Sequence, residues 1–162
     1  MKKDSSIKIL DKIVLIGIIL TIITLLATPL ILTAYFKSGL GILGSNMPMN
    51  ISIGIYICAT PYVIALFYLK SLCKIISTGQ IFSREIPRYL KQISFCAFSE
   101  ILLFNIVQIS LYYIFNLYMY GLTVASSVII SFVSLAIGFL CFVLANFFET
   151  AIEIKEENDH TI

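Results

Sequence analysis

Charge is scarce in this chain, and its absence is concentrated in four places. Ile13 to Phe36, Ile51 to Leu69, Ile93 to Tyr120 and Leu122 to Phe148 hold one residue that is charged near neutral pH, Glu100. Charged residues make up 12% of the 162 positions, against about 25% in soluble domains. Histidine occurs once, as His160 near the C-terminal end, so no histidine-based dyad is expected inside the apolar segments. The four cysteines form no Cys-x-x-Cys pair. Metal-ligand clusters, glycine-rich phosphate loops and nucleophile motifs are missing as well. These absences argue against an enzyme, and neither catalytic residues nor a cofactor or metal is expected.

What is present is apolar length. A helix needs about 20 apolar residues to cross a hydrocarbon core of roughly 30 Å, and each of the four segments is long enough. The expected fold is an all-α membrane protein: one four-span domain over residues 1–162, with spans near 13–36, 51–69, 93–120 and 122–148. The pieces outside them, 1–12, 70–92 and 149–162, are each shorter than the ~40 residues below which domains rarely fold unaided. The first apolar stretch exceeds the ~7–15 residues of a signal peptide and lacks an Ala-x-Ala exit, so a retained span is expected.

Basic residues set the expected orientation. Ten of the eleven lie before span one, between spans two and three, or after span four, and only Lys37 falls elsewhere. The positive-inside bias then predicts cytoplasmic termini and a cytoplasmic 70–92 loop. The same charges suit a lipid bilayer as partner better than direct nucleic-acid binding. Cys58, Cys96 and Cys141 lie in spans and Cys73 on the basic side, so disulfides are not expected. All four read as small helix filler, with palmitoylation of Cys73 as the alternative.

Small residues recur at alternating steps of 3 and 4: Gly17, Thr21, Thr24 and Thr28; Gly54, Cys58, Pro61 and Ala65; and Ser127, Ser131, Ser134, Gly138, Cys141 and Ala145. Such stripes permit close approach of membrane helices, which predicts a compact four-helix bundle and leaves a homo-oligomer open. Pro29 and Pro61 should kink their helices, with Thr28 and Thr60 placed to help satisfy the freed backbone. On span three, Glu100, Asn105, Gln108 and Asn116 share an arc of about 160° at 100° per residue, which should face inward. Glu100, Asn105 and Gln108 are therefore candidate intramembrane functional residues, with Glu100 either a local polar contact or part of a transport or sensing site.

At the basic side, Gly79 is a natural stop for the helix that continues span two, and Ser83 an N-cap for the next. Ile81 and Phe82 are apolar at a turn that should meet water. The tail carries Glu149, Glu153, Glu156, Glu157 and Asp159 against Lys155, and reads as a solvated helix end or an acidic handle for a basic protein. The candidate partner-binding residues are Gly79, Ile81, Phe82, Ser83, Lys155, Glu156, Glu157, Asn158 and Asp159.

Gly79-Gln80-Ile81-Phe82-Ser83, Leu90-Lys91-Gln92-Ile93 with Cys96-Ala97, and the tail from Ala151 to Asp159 closing in Thr161-Ile162 resemble the YoaS-like family. Its members are small four-span bacterial membrane proteins, common in Firmicutes and classed as a domain of unknown function. His160 stands where a leucine is expected. The family carries no assigned activity, so the resemblance implies no catalytic residue. It implies a gene neighbour, a small helix-turn-helix regulator of the Cro/CI type, as partner. The function expected is therefore a membrane protein that binds or sequesters such a DNA-binding regulator. The alternative is a small transporter or an ion- or proton-linked sensor using Glu100.

Overall fold

The computed structural model describes residues 2–39, 46–80, 82–115 and 120–160, and they form four helices. α1 spans Lys2–Gly39, α2 Met47–Ser77, α3 Glu85–Phe115 and α4 Tyr120–His160. Each is long and apolar enough to cross a membrane. At 1.5 Å per residue the 41-residue α4 reaches about 61 Å, twice a hydrocarbon core, so one of its ends must project beyond it. Side chains such as Leu26, Leu30, Phe95, Phe132 and Phe147 are exposed outward, where lipid would cover them. The protein is a multi-pass, all-α membrane protein.

Backbones approach closely only between chain neighbours, α1 with α2, α2 with α3 and α3 with α4, among the described residues. Within the bundle the helices thus pack in chain order, and the backbones of α1 and α4 make no close approach among the described residues. The cause lies on α1. Its packed face runs through Val14, Ile18 and Phe36, not through the glycine–threonine stripe. A Cβ built on Gly17 would meet nothing within 4 Å.

The stripes on α2 and α4 are used. Gly54 and Pro61 are buried, and a Cβ on Gly54 would stand 2.9 Å from Cγ1 of Val107 on α3. On α4, Ser134, Gly138 and Ala145 are buried. A Cβ on Gly138 would stand 2.8 Å from the Phe98 ring. That closeness lets the Ser94 hydroxyl donate to the Gly138 carbonyl at 2.8 Å.

The prolines are handled differently from the threonine expectation. Pro29 lacks the N–H that would bond the Leu25 carbonyl. Tyr56 of α2 donates its hydroxyl to that carbonyl at 3.1 Å. Thr28 and Thr60 instead bond the Thr24 and Tyr56 carbonyls one turn back, at 2.8 and 2.9 Å. The acceptor freed by Pro29 is therefore satisfied across the interface, and the same bond pins α1 to α2.

Burial is deepest at the end where α2 finishes, α3 begins and α4 finishes. Leu72, Ile86, Leu90 and Ala145 form a common core there, and Val14 and Ile18 of α1 pack on Cys73 beside it. Cys73 is 2% exposed, which removes it as an accessible acylation site.

Candidate functional site

Two places gather chemistry-bearing side chains. The first is the turn between α2 and α3 together with the projecting end of α4. The Thr78 N–H bonds the Lys74 carbonyl and the Gly79 N–H that of Ile76, and Gly79 takes a φ of 80°. This left-handed residue ends α2 as expected, because only glycine adopts it without strain. Ser83 begins α3: its Oγ accepts the Glu85 N–H at 3.3 Å and its carbonyl accepts the Ile86 N–H at 3.1 Å.

The tail is neither loose nor simply solvated. It is the end of α4, laid antiparallel along the start of α3. Arg84 forms a two-pronged ion pair with Glu156, its Nε donating to Oε1 at 3.0 Å. Lys91 pairs with Glu149 at 2.7 Å. The acids repeat at 149 and 156 and the bases at 84 and 91, so each pair is two helical turns from the other, with Ile152 buried between them. The bond to Glu156, and then its charge, raise the Arg84 guanidinium above its ordinary value and keep it charged. The Lys155 ammonium stands 4.6 Å from the centre of the Phe82 ring, in cation–π contact.

Several predicted partner residues are therefore brought together, but partly to face each other. Phe82 meets Lys155, Ser83 caps the start of α3, and Glu156 is committed to Arg84. Gly79, Glu157, Asn158 and Asp159 are exposed, as is Glu153. Ile81 lies outside the described residues. Arg84, Lys91 and Glu149 were missed by sequence reasoning. Their signal was available as matching seven-residue spacings of opposite charge on segments that end at the same side.

The second place lies inside the helices. A cavity of about 360 Å³ between α2, α3 and α4 is lined by Cys58, Tyr62, Glu100 and Gln108 among largely apolar neighbours. Ser134 of α4 is the polar neighbour of the Glu100 carboxylate. Asn105 does not join them. Its Oδ1 accepts from Ser127 at 2.7 Å, and its amide donates to Ser131 at 3.3 Å and to the Ile101 carbonyl at 2.7 Å. The inward polar arc thus divides into a cavity pair, Glu100 and Gln108, and a packing residue, Asn105. Asn116 lies outside the described residues. Ser127 and Ser131 are occupied as hydrogen-bonding partners of Asn105.

Comparison with known proteins adds one finding. The sequence pattern of a family described as "Protein of unknown function (DUF2975)" matches residues 32–162. The chain belongs to that family. The match takes in α2, α3, α4 and the last residues of α1. Neither a curated protein nor a solved structure matches the chain.

Proposed function

We propose that this DUF2975 protein is a YoaS-like interaction protein of the bacterial cell membrane, with both termini cytoplasmic, and that its projecting end docks a small DNA-binding regulator. The basic asymmetry favours that orientation. The observation that carries the docking reading is the clip between turn and α4. Arg84–Glu156 and Lys155–Phe82 hold the turn against the helix end. Beside that clip stand the exposed carboxylates of Glu153 and Asp159. A basic helix-turn-helix protein would be steered to such an acidic edge by charge complementarity. A signal that loosens the clip would change affinity for that partner.

Removing the whole tail would also break the clip, so the discriminating variant is Glu153→Lys with Asp159→Lys, which spares Glu149 and Glu156. A helix-turn-helix regulator encoded beside this reading frame should co-sediment with membranes that carry the intact chain. It should move to the soluble fraction with the double variant, and transcription of its target genes should change. A regulator that stays soluble beside the intact chain refutes the proposal.

The cavity at Glu100 and Gln108 supports a second reading, a small transporter or proton-linked sensor. An activity in proteoliposomes that varies with pH and disappears in Glu100→Gln would favour it. No neutralising Lys, Arg or His lies in the four apolar segments, and a relay ordinarily needs such further members. The docking reading is therefore preferred.

A further inference from the structure

A groove of about 770 Å³ runs between α2 and α3 at the charged end of the molecule. From Arg84, just before α3, its wall descends through Arg88, Lys91, Phe95, Ser99 and Leu103 of α3, at steps of 3 or 4 that keep them on one stripe. From Arg88 to Leu103 the stripe covers about 22 Å at 1.5 Å per residue. Cations line the top, and the lower part, with Pro61 and Ile64 of α2, is largely apolar. Two of the cations are already engaged, Arg84 by Glu156 and Lys91 by Glu149, and Glu149 itself lines the groove. Arg88 makes no ion pair among the described residues, so the rim keeps one positive charge in excess. Gln92 lines the same groove, and its Oε1 is buried without a hydrogen-bond donor.

We propose that this groove is a binding site for one anionic glycerophospholipid, with its phosphate at Arg88 and an acyl chain laid along Phe95, Ile64 and Leu103. The guanidinium fork suits a phosphodiester, and basic pockets between membrane helices are suited to anionic headgroups. A free anion would use only the rim and leave the apolar length of the groove idle. A headgroup hydroxyl would supply the donor that Gln92 lacks, once the amide turns about its soft terminal torsion. The site rests only on the membrane-spanning reading and is independent of any docked regulator.

The purified full chain should be exchanged into nanodiscs and then examined by native mass spectrometry. The probes are phosphatidylglycerol and phosphatidylcholine with identical acyl chains, and inorganic phosphate in a separate arm. One phosphatidylglycerol should be retained in preference to phosphatidylcholine. Arg88→Gln should weaken that retention about fivefold, the weight of one basic residue at an anionic surface. Lys74→Gln removes a cation from the same end but from a different groove, and should leave retention unchanged. Ile64→Trp, which fills the apolar part, should lower retention of the lipid without affecting any weak phosphate binding. Equal retention of the two lipids overturns the proposal. So does equal loss in the Arg88 and Lys74 variants, which would mean diffuse surface attraction. Displacement of phosphatidylglycerol by millimolar inorganic phosphate would make the site an ion site and also overturn it.

Discussion

Helices α1 and α4 are both long and strongly apolar, and both carry small residues at steps of 3 and 4, yet only α4 uses its stripe to meet a neighbour. The difference is made by what stands opposite. Gly138 faces the Phe98 ring, itself held edge-on against Phe139 with centroids 5.6 Å apart, and a hydroxyl from Ser94 reaches its carbonyl. Gly17 faces open space, and α1 is held through Val14, Ile18 and Phe36 and one hydroxyl from Tyr56. Lipid is as apolar as leucine, so apolar content alone gives a membrane helix no reason to choose a partner. Close approach and shared polar contacts decide, and they are plentiful on α4 and sparse on α1. The family match covers α2 to α4 and only the end of α1. The segment matched is thus nearly the segment bound together by the tighter contacts.

The sharpest way to break this comparison is to enlarge both glycines. Gly138→Leu must displace an aromatic ring that a Cβ alone would already touch at 2.8 Å. The expected cost is about 1–3 kcal/mol or somewhat more, since overpacking is joined by loss of the Ser94 bond. Gly17→Leu should leave stability within about 0.5 kcal/mol, as at other sites away from packing features. Unfolding in mixed micelles, followed for both variants, is the measurement. Equal destabilisation would mean that Gly17 meets something in the membrane that these four helices do not supply.

How much of this was legible beforehand follows the same division. The four helices, the Gly79 stop and the Ser83 cap are local features, and a reading of length, hydropathy and turn chemistry finds them. The seam on α4 was also legible, because serine, glycine and alanine on one stripe have little use on a lipid face. The stripe on α1 looked identical and was misleading. Threonines at Thr21, Thr24 and Thr28 bond their own helix, as the 2.8 Å contacts to residues four back show, and so need no partner. Of the arc on α3, Glu100 and Gln108 line the cavity and Asn105 meets α4, and that division depends on which neighbour lies on each side. That is a long-range fact. The pairing of the tail with the start of α3 lay between: its charges were visible, whereas their partners required knowing that the two helices run antiparallel and side by side.

A smaller effect should come from Asn105, the polar centre of the α3–α4 contact. Asn105→Ala removes three hydrogen bonds, two of them reaching α4. Polar contacts between membrane helices contribute about 0.6 kcal/mol each on average, with a maximum near 1.7. The expected loss is about 1–2 kcal/mol, because Ser127 and Ser131 can turn to carbonyls of their own helix. Ser127→Ala combined with Asn105→Ala should then cost less than the sum of the two single changes, since the residues share a bond. Strict additivity in a double-mutant cycle would show that the Asn105–Ser127 contact carries no coupling.

The smallest predicted change tests the weak side of the comparison. Tyr56→Phe deletes one hydroxyl and leaves the ring, so packing is nearly conserved. The deleted group is nevertheless the donor that satisfies the Leu25 carbonyl freed by Pro29. An unpaired carbonyl within lipid is costly, but this one lies at a half-buried position where the helix can bend to share a neighbouring N–H. About 0.6 kcal/mol should be lost, near the average for such bonds. Restoring the backbone donor changes the outcome. In a Pro29→Ala background the new backbone N–H can bond the Leu25 carbonyl itself, and Tyr56→Phe should then cost measurably less. Distance measurements between spin labels on α1 and α2 can follow the same pair of variants: the distribution should broaden in Tyr56→Phe and narrow again with Pro29→Ala. Equal costs in both backgrounds would mean that the hydroxyl holds α1 by a contact unrelated to the proline, and the account of how α1 is pinned would have to be replaced.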